Sequence, residues 1–200
     1  MDISLQTLFP LALFAFVSSI TPGPNNIMLT SSGIVFGFRR TIPHMLGVTF
    51  GFGVMLLLCA LGIGSLLLAV PSAHTLLKLM GSAYLLYLAW QLRSIAFRQN
   101  TAADARPMSF LGASLFQFAN PKAWVIALTG VSAFLPALQP VWLAIALFCL
   151  VFCAINLPCI VVWAGTGATL RRYLTQARWQ RAFCVVMIVL TVYSALAIWH

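Results

Sequence analysis

Residues 6–33 read QTLFPLALFAFVSSITPGPNNIMLTSSG, an apolar stretch interrupted at Thr21-Pro22-Gly23-Pro24-Asn25-Asn26. Two prolines remove amide donors and clash with the preceding turn, and the glycine between them adds backbone freedom. The stretch is long enough to cross a bilayer, for which about 20 apolar residues suffice. The spacing therefore predicts a helix that stops and restarts inside the membrane. A second stretch, residues 109–135, repeats the pattern with Gln117-Phe118-Ala119-Asn120-Pro121-Lys122 near its centre.

The rest of the chain has the same character. Of its 200 residues 62% are hydrophobic and only 6% charged, against about 25% charged in an ordinary soluble domain, and the mean hydropathy is +1.02. No soluble surface can be assembled from that composition. Apolar runs separated by loop signals predict six spans, at 6–33, 42–70, 75–93, 109–135, 141–169 and 180–199. The expected fold is an all-α polytopic membrane protein forming a single membrane domain over 1–200.

The polar segment 93–107 (RSIAFRQNTAADARP) divides the chain into halves of three spans, residues 1–92 and 108–200. Each half opens with a Pro-interrupted span, continues with a long one and closes with a plainer one. The long ones exceed the hydrocarbon thickness and must tilt, bend or protrude. An odd number of spans per half makes the second half enter from the opposite side, so the halves are expected to form inverted three-helix repeats.

Eleven Lys and Arg stand against two acids, Asp2 and Asp104, for a formal charge of +9. The basic residues lie in predicted loops: Arg39 and Arg40 in the first, Arg93, Arg98 and Arg106 in the third, and Arg171, Arg172, Arg178 and Arg181 in the fifth. The second and fourth loops offer only Lys78 at a span edge. The positive-inside bias then makes the odd loops cytoplasmic and both termini external. Attraction to anionic lipid explains the charge without a nucleic-acid partner. The opening MDISLQTLF lacks the positive n-region of a cleavable signal peptide, so the first helix is expected to stay.

Irregular backbone at membrane depth is tolerated where protein or a watery cavity satisfies it, and paired breaks mark a central site. The half-helix after each break directs N–H groups and a positive dipole end at an anion such as a carboxylate. Carbonyls around Ile20-Thr21 and Ala119-Asn120, with the side-chain amides of Asn25, Asn26 and Asn120, can accept from an ammonium. A zwitterionic amino acid fits both requirements, as do other small polar molecules. The candidate binding residues are Thr21, Pro22, Gly23, Pro24, Asn25, Asn26, Asn120, Pro121 and Lys122. The competing reading, plain proline kinks, does not explain why the breaks occupy matched places.

Lys122 is the sole charge near a span centre, where insertion costs about 2.5–3.5 kcal/mol. It can pair with a substrate carboxylate, give up its proton during a transport cycle, or serve as a structural cation on nearby carbonyls. No Asp or Glu falls in any predicted span. Proton coupling would thus fall to Lys122, to His44 or to the substrate. At a predicted cytoplasmic end, His44 otherwise reads as an interfacial residue.

Gln117, Asn156, Tyr84 and Tyr87 are secondary candidates. Asn156 stands before Pro158 and can bend the long fifth span toward the site or pack against a neighbour; the tyrosines fit packing better. Gly47-x-x-x-Gly51 and Gly62-x-Gly64 favour close helix approach, and Trp90, Trp179 and Trp199 read as interfacial anchors. The five cysteines, Cys59, Cys149, Cys153, Cys159 and Cys184, lie in apolar stretches as small hydrophobes. No cofactor or metal motif is present in the sequence.

The run TPGPNNIMLTSSGIVFGFRR at 21–40, the Asn120-Pro121-Lys122 triplet, the length and the six-span layout together resemble the LysE/RhtB family of bacterial amino-acid exporters, most closely its cysteine/O-acetylserine-exporting branch. The resemblance covers essentially the whole chain. It implies multi-pass insertion in the bacterial inner membrane and export of an amino acid from the cytoplasm by proton antiport. Lysine-exporting members carry intramembrane acids and this chain has none, which favours a neutral substrate. A homodimer is one option for its assembly. Two other functions compete: a thiol-redox electron carrier of DsbD/CcdA type, which needs a reactive cysteine at each break, and a non-transporting structural subunit. An intramembrane enzyme would need an acid, base and nucleophile set that the sequence does not supply.

Overall fold

A computed structural model describes residues 5–62, 106–135 and 140–171, with further single positions between 75 and 90 and between 182 and 196. Six helices are defined among the described residues: α1 (Leu5–Ile20), α2 (Pro24–Phe36), α3 (Phe38–Ala60), α4 (Phe110–Ala119), α5 (Pro121–Phe134) and α6 (Val141–Leu170). The described positions in 75–90 and 182–196 are helical, and no strand occurs among the described residues. Tyr84, Lys78, Gly64, Cys184, Trp179, Trp199, the two acids and Arg93, Arg98, Arg172, Arg178 and Arg181 lie outside the described residues. So do most of segment 93–107 and much of the third and sixth expected spans.

Both expected breaks are present. The first span stops at Ile20 and resumes at Pro24, which takes the first helical position of α2. The second stops at Ala119 and resumes at Pro121, first residue of α5, behind the N-cap Asn120. Proline suits that position because its missing N–H would have no intrahelical partner anyway.

The junction between the first two spans differs from expectation. Residues 34–41 were expected to form a loop carrying Arg39 and Arg40, but only Gly37 interrupts the helices, at φ 82°. A left-handed φ is open to glycine without steric cost, so one residue turns the chain and both arginines fall in the first turn of α3, exposed. The second span was expected to run to residue 70. Instead α3 ends at Ala60, because Gly62 adopts φ 89° and closes the helix. Gly62 thus ends the helix, and the packing expected of Gly62-x-Gly64 falls partly outside the described residues.

Helices α3 and α6, 23 and 30 residues long, are apolar enough to cross a membrane. At about 1.5 Å per residue they extend roughly 34 and 45 Å, more than the hydrocarbon core of about 30 Å. Many large apolar side chains face outward, among them Phe9, Leu13, Phe50, Leu115, Val125 and Leu150, as lipid-facing surfaces require.

Contacts fix the helix directions. Phe14 meets Phe134 while Thr21 meets Lys122, so α1 and α5 are antiparallel. Phe14 meets Phe152 and Ser19 meets Asn156, so α1 and α6 are parallel. Helix α3 runs against α6, Phe52 touching Phe152 and Phe38 lying near Gly165. Helices α1, α2 and α6 therefore run one way and α3, α4 and α5 the other.

Two apolar clusters flank the breaks. One gathers Leu11, Phe52, Met55, Ala123, Phe148 and Phe152, and the other Leu29, Met45, Val48, Ala113, Ile160 and Ala164. Glycines set the closest approaches. A Cβ at Gly47 or Gly51 would stand 2.3 or 2.4 Å from the carbonyl oxygens of Phe110 and Ser114, and one at Gly167 only 2.1 Å from that of Thr30. The expected close packing at Gly47 and Gly51 is thus found, within the chain.

Candidate functional site

The broken ends meet across the two halves of the chain. The Lys122 ammonium, in the first turn of α5, donates to Thr21 O at 2.9 Å, Thr21 Oγ1 at 2.9 Å and Pro22 O at 3.1 Å. A lysine ammonium has three protons and no acceptor, so these oxygens satisfy it. They lie where α1 ends, at the negative end of its dipole. Gly23 lets the lysine in: its φ of −172° is ordinary extended backbone, but a Cβ there would come 2.8 Å from Lys122 Cδ and 3.0 Å from its Nζ.

Asparagines and a glutamine tie down the surrounding backbone. Asn26, buried, donates to Ser19 O at 2.9 Å and Thr21 O at 2.8 Å, bridging the gap between α1 and α2. Asn25 donates to Gln117 Oε1 at 2.8 Å, and Gln117 returns a bond to Asn25 Oδ1 at 3.3 Å while also donating to Ala113 O. Asn120 caps α5 by accepting from the backbone N–H of Lys122 at 3.2 Å. Trp163 of α6 donates its indole N–H to Ile20 O at 3.2 Å, and Trp124 donates to Phe118 O at 2.9 Å.

These bonds alter the expected chemistry of the site. The carbonyls around Ile20 and Thr21 already accept from Trp163, Asn26 and Lys122, and the amides of Asn25 and Asn26 are paired. One terminal N–H of α5 is likewise taken by Asn120. The interruption is thus closed by side chains, as buried backbone polar groups in an apolar medium demand.

Beside the breaks lies a cavity of about 40 Å³, lined by Ser18, Ser19, Gly23, Pro24, Asn25, Asn26, Asn120, Lys122 and Asn156, with Phe52, Ala123, Ile126 and Ile160 closing it. That is room for a few waters, well short of the roughly 300–1,000 Å³ of a small-molecule pocket. Asn156 is 8% exposed and donates to Ser19 Oγ at 3.2 Å, while its buried Oδ1 has no partner. An acceptor left unpaired at a cavity wall costs about 1–3 kcal/mol and is a ready contact for a ligand donor.

The structure thus brings together Thr21 to Asn26, Gln117, Asn120, Pro121, Lys122 and Asn156. Helix α6 passes through Pro158 unbroken, and Asn156 reaches the site by its side chain. Tyr87 is exposed and lies near Trp90, ring centroids 6.2 Å apart, and is not among the residues lining the cavity. His44 is 2% exposed, and both ring nitrogens are unpaired. Being eight residues before Phe52 on α3, it lies about 12 Å along the helix from the cavity. Ser18, Ser19 and Trp163 were missed in the sequence reading. The serines directly precede the TPGPNN run, and Trp163 follows Asn156 by seven residues, on the same helix face.

Among the described residues no His, Cys, Asp and Glu cluster could hold a metal ion. Cys149 and Cys153 border a separate apolar groove, and Cys59 and Cys159 are buried.

Comparison with known proteins places this geometry in context. The family model described as LysE type translocator matches residues 16–198. The cysteine/O-acetylserine efflux protein of Escherichia coli strain K12 is 34% identical over 194 residues, 94% of each chain. That of Shigella flexneri is 34% identical over 203 residues, 96% of this chain and 99% of its own. No solved structure matches the chain.

Proposed function

This chain belongs to the LysE type translocator family, and on that premise we propose that it exports a neutral α-amino acid or a close derivative, of the cysteine or O-acetylserine kind, across the bacterial inner membrane. The observation that carries the reading is the bond of Lys122 to Thr21 and Pro22, which joins both broken helices at a polar cavity. The chain is a multi-pass membrane transporter and not an enzyme. Its binding residues are Thr21, Pro22, Gly23, Pro24, Asn25, Asn26, Asn120, Pro121 and Lys122, with Gln117 and Asn156 beside them.

The binding chemistry is that of a zwitterion. Acceptors at the end of α1 and the free Asn156 Oδ1 suit an ammonium, while Lys122 and the starts of α2 and α5 suit a carboxylate. With Asp2 and Asp104 the only acids, no Asp or Glu falls in a span expected from the sequence, which favours a substrate without a second cation. The cavity must widen to admit a substrate, which fits alternating access by movement of half-helices about the break.

Two inverted three-helix repeats, 1–92 and 108–200 joined by a cytoplasmic linker at 93–107, are the architecture we infer. Supporting this, α1–α2 run opposite to α4–α5, and α3 opposite to α6. Arg171 also reaches Gly37, beside Arg39 and Arg40, gathering positive charge at one end and favouring external termini. Antiport of a proton is the coupling consistent with export, and Lys122 and His44 are the groups to carry it. A homodimer is the assembly to test by cross-linking in the membrane.

The test is uptake of a panel of labelled amino acids into everted vesicles energised by a proton gradient. Gradient-driven accumulation of neutral amino acids is expected; accumulation of none overturns the reading. A thiol-redox carrier is disfavoured because no cysteine lies at either break, and a variant with all five cysteines replaced by alanine is expected to transport.

A further inference from the structure

We propose that Lys122 is a built-in competitor of the substrate: its ammonium and the α-ammonium of the amino acid take turns on the same oxygens, Thr21 O, Thr21 Oγ1 and Pro22 O. The inference rests on the amino-acid reading above and adds to it a specificity rule. Only a molecule with a free primary ammonium can take the lysine's place.

Stoichiometry is the first ground. Three N–H donors meet three acceptors at 2.9, 2.9 and 3.1 Å, and an α-ammonium carries the same head, three protons and no acceptor. The position of the acceptors is the second. They sit at the carbonyl end of α1 beside the cavity, a cation site by its dipole alone, and the unpaired Asn156 Oδ1 borders the same space.

The third ground is the lysine's freedom to leave. Its seat is partly open, Thr21 and Pro22 being exposed, and the approach over Gly23 is kept clear by the absent Cβ. A four-carbon stem carries the charge, so the ammonium can swing off the carbonyls while its backbone stays capped by Asn120. Once displaced, it stands near the bound molecule and can pair with its carboxylate. One charge thus serves both conditions, held by the protein's oxygens or by the ligand's. Keeping a cation on those oxygens throughout avoids exposing bare carbonyls in the membrane interior, which costs several kcal/mol per group.

An internal occupant weakens an external one by the fraction of time it leaves the seat free. A lysine seated nine-tenths of the time lowers the apparent affinity for a competing ammonium about tenfold.

The experiment measures binding of ethylammonium chloride to the purified full-length protein in detergent by calorimetry. Lys122→Met, which keeps the stem and removes the charge, is expected to bind it at least tenfold more tightly than the unaltered protein. Adding Thr21→Val, which deletes one acceptor, is expected to take back at least threefold of that gain. A lysine with a merely structural role would give no gain of amine binding when removed. Should Lys122→Met fail to fold, Lys122→Gln takes its place. In addition, N-acylated amino acids should fail to compete with a labelled substrate bound to the unaltered protein where the free amino acids succeed. Equal ethylammonium affinity in the unaltered protein and the variant, absence of saturable binding in both, or competition by N-acylated compounds overturns the proposal. If the vesicle panel shows no amino-acid export while the variant gains ethylammonium binding, it is the amino-acid reading that fails, and the site serves another amine.

Discussion

Asn25 and Gln117 exchange two amide hydrogen bonds, at 2.8 and 3.3 Å, between the restart of the first broken helix and the last turn before the second break. They are 92 positions apart in sequence, and Gln117 is wholly buried. Each amide presents its donor to the other's acceptor, so either substitution alone leaves a polar group without its partner.

Asn25→Ala, which leaves the buried Gln117 Oε1 without its donor, is expected to destabilise the protein by about 1–3 kcal/mol, and Gln117→Ala, which leaves the half-buried Asn25 in reach of water, by less. The double substitution should cost less than the sum, with a coupling of about 0.5–3 kcal/mol. Unfolding of the four proteins in detergent checks this; strict additivity would show that the pair contributes no coupling.

Asn120→Ala and Lys122→Ala are expected to lower transport in everted vesicles at least tenfold, and to remove resistance to a toxic amino acid, while the protein still inserts. Asn120 sets the start of α5 and Lys122 bridges to α1, so each loss disturbs both breaks. Full activity in both variants would put the central site elsewhere.

Two glycines should separate function from stability. Gly23→Ala meets only the far end of the flexible Lys122 side chain, so it should lower transport severalfold and leave thermal unfolding nearly unchanged. Gly167→Ala meets the backbone of Thr30 at 2.1 Å, which cannot move aside cheaply, and should destabilise by about 1–3 kcal/mol. Paired melting and transport assays decide; equal effects on stability would contradict the contrast.

His44→Leu is expected to keep or raise thermal stability, by up to about 1 kcal/mol, because neither buried ring nitrogen has a hydrogen bond to lose. If His44 carries the coupled proton, the same variant should lose gradient-driven accumulation while exchange of substrate across the membrane persists. Unchanged accumulation excludes His44 and leaves Lys122 or the substrate itself to carry the proton.

Much of this arrangement is legible in the sequence because proline acts locally. Both interruptions follow from local combinations, Pro22-Gly23-Pro24 in one and Asn120-Pro121 in the other, whereas the lone Pro10, Pro43 and Pro158 sit inside continuous helices. The long fifth span is read correctly for a similar reason, since apolar length alone defines it. What the sequence hides depends on partners. Nothing local shows that the Lys122 ammonium lands on Thr21 and Pro22, or that Asn25 finds Gln117, because those contacts join segments about a hundred residues apart. The end of α3 is misjudged because hydropathy continues past Ala60, whereas the helix stops on the backbone angle of Gly62. Nor does the sequence show that the helix turns the His44 ring inward with Thr41 and Val48, since that burial depends on neighbours from other segments.

Gly37 carries a mechanical consequence. A lone residue joins α2 to α3, and its left-handed φ, with the Arg171 guanidinium 3.0 Å from where a Cβ would stand, leaves no room for another side chain. The two helices therefore form a bent lever whose elbow has only two free torsions. Any swing of α2 that widens the cavity beside Asn26 must either rotate Gly37 or carry α3, with the exposed Arg39 and Arg40, along with it. Movement of α2 against α3 is thereby confined to the φ and ψ of one residue, so the junction constrains the first broken helix from the end opposite its break.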